Sequence, residues 1–132
     1  MKILSPAVSA HEVEAVIAAG AGEIYCGVMP DAWRKAYTNV ASPNRREWEV
    51  SNMTDFEALA DAVNRAHDKG VPVFLTLNAL YTEAQYPELR HFVEKADACG
   101  VDALIIADLG LLLLARDMGW KRDLHISTGG TA

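Results

Sequence analysis

The chain has 132 residues, 12 of them basic and 18 acidic, for a formal net charge of −6, and 51% are hydrophobic. That length fits one domain able to bury its own core without a disulfide or metal staple, and the acidic balance opposes a general binder of nucleic acid or anionic membrane. Two cysteines, Cys26 and Cys99, exclude a disulfide scaffold and a zinc ribbon, and no apolar run approaches the ~18–20 residues of a bilayer span.

In chain order, the first β-rich run is 2–5, which ends at Pro6 and carries no secretory signal, so the expected compartment is a reducing cytoplasm. Ser9-Ala10-His11-Glu12 fits a capping box opening a first helix, with Val13, Val16 and Ile17 on one face and Gly20 as its stop. A second strand covers 23–27. Between Gly27 and Thr54 comes a loop of about 26 residues, far longer than a usual connection. It carries Pro30, Trp33, Pro43, Arg45, Arg46 and Trp48, and its aromatics predict an ordered lid over about 28–53. Thr54-Asp55-Phe56-Glu57 reads as another capping box, for a helix that buries Phe56, Leu59, Ala60 and Val63 and ends at Gly70.

The run 71–78 is the third strand. A helix from about Pro87 through Leu89, Phe92, Val93 and Ala96 follows, then Gly100, a strand at 103–108, a helix at 109–118, Gly119, and a last strand at 123–128. Strands separated by single helices run parallel, and the nearly unbroken apolar runs at 71–77 and 103–107 fit strands covered on both faces. The fold class is α/β with a parallel sheet, in one domain spanning 1–132.

In such sheets ligands bind at the carboxyl ends of the strands. That rule selects Thr76 and Asn78, Asp108, and the group His125, Ser127 and Thr128. Asp108 reads as a base or cation ligand, or as the N-cap of the helix starting at Leu109, and the two roles coexist. Asn78 shares a face with Thr76 and either orients a substrate or caps a turn, while His125 and Ser127 share a face by the same alternation. His125 alternatively reads as a hydrogen-bonded core histidine. A triad of Ser127, His125 and Asp108 needs a geometry that residue types do not supply. Thr128-Gly129-Gly130-Thr131 offers backbone amides to an anion. Arg45 and Arg46 either clamp a phosphate or carboxylate or serve as surface ion-pair partners. Cys26 at a strand end is a reactive thiol, a cluster ligand or a buried packing group. Cys99 reads as packed, and His11, His67 and His91 as solvent-facing or capping groups.

Read together, Ile3-Leu4-Ser5-Pro6-Ala7, Ala18-Ala19-Gly20-Ala21 running into Ile24-Tyr25-Cys26-Gly27, the strand Val73-Phe74-Leu75-Thr76-Leu77-Asn78-Ala79-Leu80, the stretch from Gly100 through Gly110, and His125-Ile126-Ser127-Thr128 resemble the ordered blocks of the collagenase-like peptidases, peptidase family U-thirty-two. The resemblance covers essentially the whole chain, with 28–50 as its variable stretch. It implies a (β/α) barrel enzyme acting as a peptidase, a hydrolase. Other members take part in hydroxylation of RNA bases or ubiquinone precursors, some with an iron–sulfur cluster. The family's cysteine-bearing signature lies downstream of the region matched, so cluster ligands would fall outside this chain and its residues support no cofactor or metal.

A complete (β/α)₈ barrel takes about 250 residues, so five strands and four helices read as the N-terminal half of a TIM-type barrel. Asp108, His125 and Asn78 are the expected catalytic residues, with Ser127, Thr128, Thr76, Arg45 and Arg46 binding a peptide or small-molecule substrate. Open strand edges lead to a second expectation, a non-catalytic half-barrel that binds a partner or a second copy of itself. No membrane partner is expected. Nucleic acid finds support only in Arg45 and Arg46 and none in the net charge.

Overall fold

A strand that leaves a sheet and returns parallel to its neighbour needs a crossover, and right-handed crossovers between consecutive neighbours place every helix on the same side. The computed structural model, which describes residues 1–37, 42–46 and 50–130, follows this rule. Its five strands are β1 (Leu4–Pro6), β2 (Glu23–Cys26), β3 (Val73–Leu77), β4 (Ala103–Ile106) and β5 (Asp123–Ile126), hydrogen-bonded in that order and parallel throughout. Between them run α1 (Ala10–Ala18), α2 (Asp31–Ala36), α3 (Phe56–His67), α4 (Tyr86–Cys99) and α5 (Leu109–Asp117). The result is an α/β fold with the topology of a partial (β/α) barrel, as expected.

The two faces of the sheet differ. Ile24, Cys26, Val73, Leu75, Leu77, Leu104 and Ile106 are at most 1% exposed and share one core with Val13, Leu59, Val63, Leu89, Phe92 and Leu111 of the helices. The other face presents Tyr25, Phe74, Thr76, Ile105 and His125, in rows fixed by the pairings Tyr25 with Phe74, Thr76 with Ile105 and Ile105 with His125.

Most helix ends follow the sequence signals. The Ser9 hydroxyl accepts from Glu12 N at 3.1 Å and the Glu12 carboxylate accepts from Val8 N at 2.6 Å, closing the start of α1. Gly20, Gly70, Gly100 and Gly119 take φ of 105°, 69°, 79° and 83°, the left-handed ends that lead into the next strand.

Four expectations are corrected. The cap of α3 is Asp55, not Thr54: its Oδ1 accepts from Ala58 N at 2.8 Å, and the Thr54 hydroxyl donates to its Oδ2 at 3.1 Å. A carboxylate at this position also answers the helix dipole, which a hydroxyl does not. Ala60 is half-buried, and Ala62 and Ala66 take its place on the buried face of α3. A 3₁₀ turn at Glu83–Gln85, boxed by Thr82 and Gln85, precedes α4, so that helix starts at Tyr86. Finally, the ladders stop short, at Cys26, Leu77, Ile106 and Ile126, which leaves Asn78, Asp108, Ser127 and Thr128 just past the strands.

The stretch expected as a loop contains α2 and is closed at its base. Met53 N donates to Gly27 O at 2.8 Å, Met29 N donates to Met53 O at 2.9 Å, and Val28 bridges to Met53. Trp33 of α2 is 1% exposed, with ring centroids 4.8 Å from Tyr37, 5.7 Å from Phe92 and 6.2 Å from Tyr81. Such aromatic contacts add to the area term and fasten the excursion to α4. Trp48, the other tryptophan of this stretch, lies outside the described residues.

Trp33→Ala should therefore destabilise the protein by about 3–5 kcal/mol in urea unfolding. A loss below about 1 kcal/mol would show that α2 contributes only surface.

Candidate active site

The inner face opens at the carboxyl ends of the strands into a groove of about 410 Å³. Tyr25, Thr76, Asn78, Ile105, His125 and Ser127 line it, together with Leu4, Ile126 and Thr128. Thr76 is 3% exposed and its hydroxyl donates to Cys26 O at 2.8 Å, tying β3 to β2 at the groove floor. The imidazole of His125 packs edge-on against Phe74 at 4.7 Å between centroids, which sets its plane while it remains half-exposed.

Asn78 is held from two sides. Its Oδ1 accepts from Arg45 N at 3.0 Å and its Nδ2 donates to Ser127 Oγ at 3.2 Å. These partners are 33 and 49 residues away, so Asn78 joins three segments of the chain instead of capping its own turn. Ser127 thus pairs with Asn78, and no Ser127–His125–Asp108 relay forms among the described hydrogen bonds. Thr128 is exposed, and Gly130 N donates to Ser127 O at 2.7 Å to close a turn. Thr131, the last residue of the expected anion loop, lies outside the described residues.

Arg45 and Arg46 are not among the residues lining the groove but stand beside it, Arg45 N on Asn78 and the Arg46 guanidinium over Tyr25, an approach that Gly27 allows. A Cβ there would fall 2.3 Å from Asn52 Oδ1 and 2.5 Å from Asn44 Nδ2, so only glycine admits this polar pair against the end of β2. Asn44 and Asn52 are 3% and 5% exposed and bonded to each other at 2.7 Å. Asn44 Oδ1 accepts from Arg46 N at 3.0 Å, and Arg46 Nε donates to Ser51 O at 2.6 Å. The Arg46 guanidinium carbon then lies 5.1 Å from the centre of the Tyr25 ring. Tyr25, Asn44 and Asn52 are site residues that the sequence reading missed. Only Tyr25 left a signal, standing two positions before Gly27 on the alternation that selects the groove face.

Asp108 is placed elsewhere. Its Oδ1 accepts from Leu111 N at 2.9 Å and from the Tyr86 hydroxyl at 2.8 Å, and its Oδ2 accepts from Tyr81 N at 3.2 Å. It caps α5 and is not among the residues lining the groove. Burial alone would raise its carboxyl pKa, but hydrogen bonds from Leu111, Tyr86, Tyr81 and Gly110 overcome that and hold it below the ordinary value. The Tyr86 hydroxyl is pushed up to about 12 by desolvation and by its bond to Asp108.

The cysteines do not fit a cluster. Cys26 lies on the helix-covered face, fully buried, and desolvation pushes its thiol up to about 12 despite nearby Arg46, so it carries no thiolate near neutrality. Cys99, at the end of α4, donates to Phe56 O at 3.4 Å. Among the described residues, no three His, Cys, Asp or Glu side chains gather as a metal site. His67 is structural, meeting Asp102 at 2.8 Å, and the same carboxylate oxygen accepts from Val73 N at 2.7 Å.

Comparison with known proteins places this geometry in context. The family model described as Peptidase family U32 matches residues 8–132. The chain is 27% identical over 121 residues to an uncharacterised protease of Methanocaldococcus jannaschii, covering 92% of this chain and 26% of that protein. It is 26% identical over 127 residues to a collagenase of Porphyromonas gingivalis, covering 96% and 27%. Over 75 residues it is 32% identical to the tRNA hydroxylation protein P2 of Bacillus subtilis, covering 57% and 24%. The chain thus spans about a quarter of the length of these relatives. Its fold matches the solved U32 peptidase Mk0906 with a TM-score of 0.64 at 18% identity, covering 96% of this chain and 48% of that one.

The lowered pKa of Asp108 fixes a pH signature. A carboxyl depressed by folding contributes stability above its unfolded pKa of about 3.9 and loses it as pH falls through the folded value. Asp108→Asn should therefore be less stable than the parent at pH 7, with the gap closing as unfolding is measured at pH values below about 4. A gap independent of pH would mean that the charge is not what Tyr86 and the backbone amides hold.

Proposed function

Because the chain belongs to peptidase family U32, we propose that it is the N-terminal barrel region of a collagenase-like peptide-bond hydrolase and that the groove at the ends of β2–β5 holds the peptide. The observation that carries this reading is the convergence of Asn78, His125 and Ser127 on one groove from the ends of two strands. An extended peptide presents an alternating series of donors and acceptors. A carboxamide pinned by Arg45 N and Ser127 Oγ, beside the hydroxyls of Ser127 and Thr128, is suited to orient such a backbone. Tyr25, Ile105 and Leu4 supply apolar contact beneath it.

His125 is the proton carrier of this reading. It takes a proton from the attacking water as the carbon–oxygen bond forms and gives it to the amide nitrogen as the carbon–nitrogen bond breaks. Asp108 acts at a distance as a positioning residue, holding the end of β4 against α4 and α5. The names of the protease and collagenase relatives support a peptide and that of the tRNA hydroxylation relative an RNA; the acidic net charge favours the peptide.

The test is turnover by the natural full-length protein on gelatin and on a fluorogenic peptide. His125→Ala should lower kcat/KM by about 10²–10⁴-fold, with Asp108→Asn staying within about tenfold of the parent. Peptide cleavage unaffected by His125→Ala would move the chemistry out of this groove. A hydroxylated RNA base formed in the absence of peptide cleavage would overturn the hydrolase reading.

A further inference from the structure

We infer that the groove selects ligands bearing a carboxylate and that Arg45 is the group that reads it; this rests on the peptide reading above. Three observations converge. First, Arg45 is fixed at its backbone by Asn78, and its guanidinium lies so close over Gly129 that a Cβ there would fall 2.1 Å from Nη1. The seat exists because residue 129 has no side chain. Second, Arg46, the next residue in the chain, holds its guanidinium over Tyr25, a groove residue. The Asn44–Asn52 pair holds the Arg46 backbone in place.

Third, no acid of the described residues answers them. Among the described residues neither guanidinium meets a carboxylate, and no Asp or Glu lines the groove. The carboxylates on that face of the sheet, Glu23 and Asp123, stand at the opposite, amino ends of β2 and β5, and Glu23 is paired with Lys2 at 3.5 Å. On a body of net charge −6 this leaves the two arginines without an acidic partner among the described residues. A planar guanidinium fork matches a carboxylate, and the overall negative charge works against a polyanion while tolerating a single anionic group. The C-terminal carboxylate of a peptide and the side chain of Asp or Glu share this chemistry.

The experiment measures binding to the natural full-length protein of N-acetylated tetra-alanine as the free acid, as the C-terminal amide, and as an amide with one alanine replaced by glutamate. The free acid, the glutamate amide or both should bind about tenfold or more tighter than the plain amide at low salt, and the difference should shrink as salt is added. Whichever of the two is preferred identifies the source of the carboxylate. Arg45→Gln, whose side chain supports no other described contact, should bring the acid down to the level of the amide with an unchanged circular dichroism spectrum. Gly129→Ala, which displaces the guanidinium from its seat, should move affinity the same way. Equal binding of all three peptides to the parent protein would overturn this inference and leave the peptide reading standing. No binding of any peptide would overturn both. An oligoribonucleotide that outcompetes the acid in an Arg45-dependent manner would assign the arginines to phosphate and overturn the carboxylate.

Discussion

Where the chain leaves β2 it does so through a residue without a side chain, and the space a Cβ would fill at Gly27 is taken by the amide groups of Asn44 and Asn52. The rest of the site is built outward from that contact. Gly27 O and Met29 N bracket Met53, which shuts the base of the excursion. Asn44 then hands its Oδ1 to Arg46 N, and the next backbone amide back, that of Arg45, reaches Asn78. On the far side, the Tyr81 hydroxyl donates to Pro43 O and Trp33 is clamped among Tyr37, Tyr81 and Phe92. A segment that composition alone would leave as surface loop is thereby fixed at both ends and at its middle. Buried asparagines are tolerated here because they satisfy one another and the backbone.

The strand ends divide their labour. Asp108, at the end of β4, spends its acceptors on the fold: one oxygen caps α5 and takes the Tyr86 hydroxyl, and the other takes the amide of Tyr81. The ends of β3 and β5 are left to face the groove, with Asn78, His125 and Ser127. The same polarity runs across the sheet, whose covered face holds an uninterrupted apolar core while its open face mixes aromatic, hydroxyl, amide and imidazole groups. The polar side chains of the sheet thus gather on the face that no helix seals.

Much of this could be read from residues alone. Strand count, parallel sense and the glycine stops came from the period of the apolar residues, which burial against a sheet enforces strongly. Asn78, Thr76, His125, Ser127 and Thr128 were reachable through one geometric rule about strand ends, and the groove gathers them. The remainder depended on contacts between distant segments. Asp108 satisfies two descriptions equally well until the hydroxyl of Tyr86 is seen on it. The six residues of α2 have too few turns to display a period, and what fixes them is the ring of Phe92, 59 positions after Trp33 by the numbering. Thr54 and Asp55 are both good caps by type, and the choice between them is a matter of which oxygen reaches Ala58 N. Tyr25 was hidden in plain alternation, since a strand read for its apolar side says little about the residue on the other.

The sheet order has a consequence for how the molecule is made. Because β1 to β5 are neighbours in the order in which they occur, each new strand meets an edge formed by the one before it. No strand has to be inserted between two others already in place. A chain emerging from the ribosome from its N-terminus can therefore assemble by successive addition, α1 settling before α3 and α3 before α4, as their pairwise contacts run in that same order. The loop-closure entropy of each step is that of a single crossover, never of the whole chain. The growing edge is always the most recent strand, so from β1 to β4 each strand's free edge is covered by the strand made next.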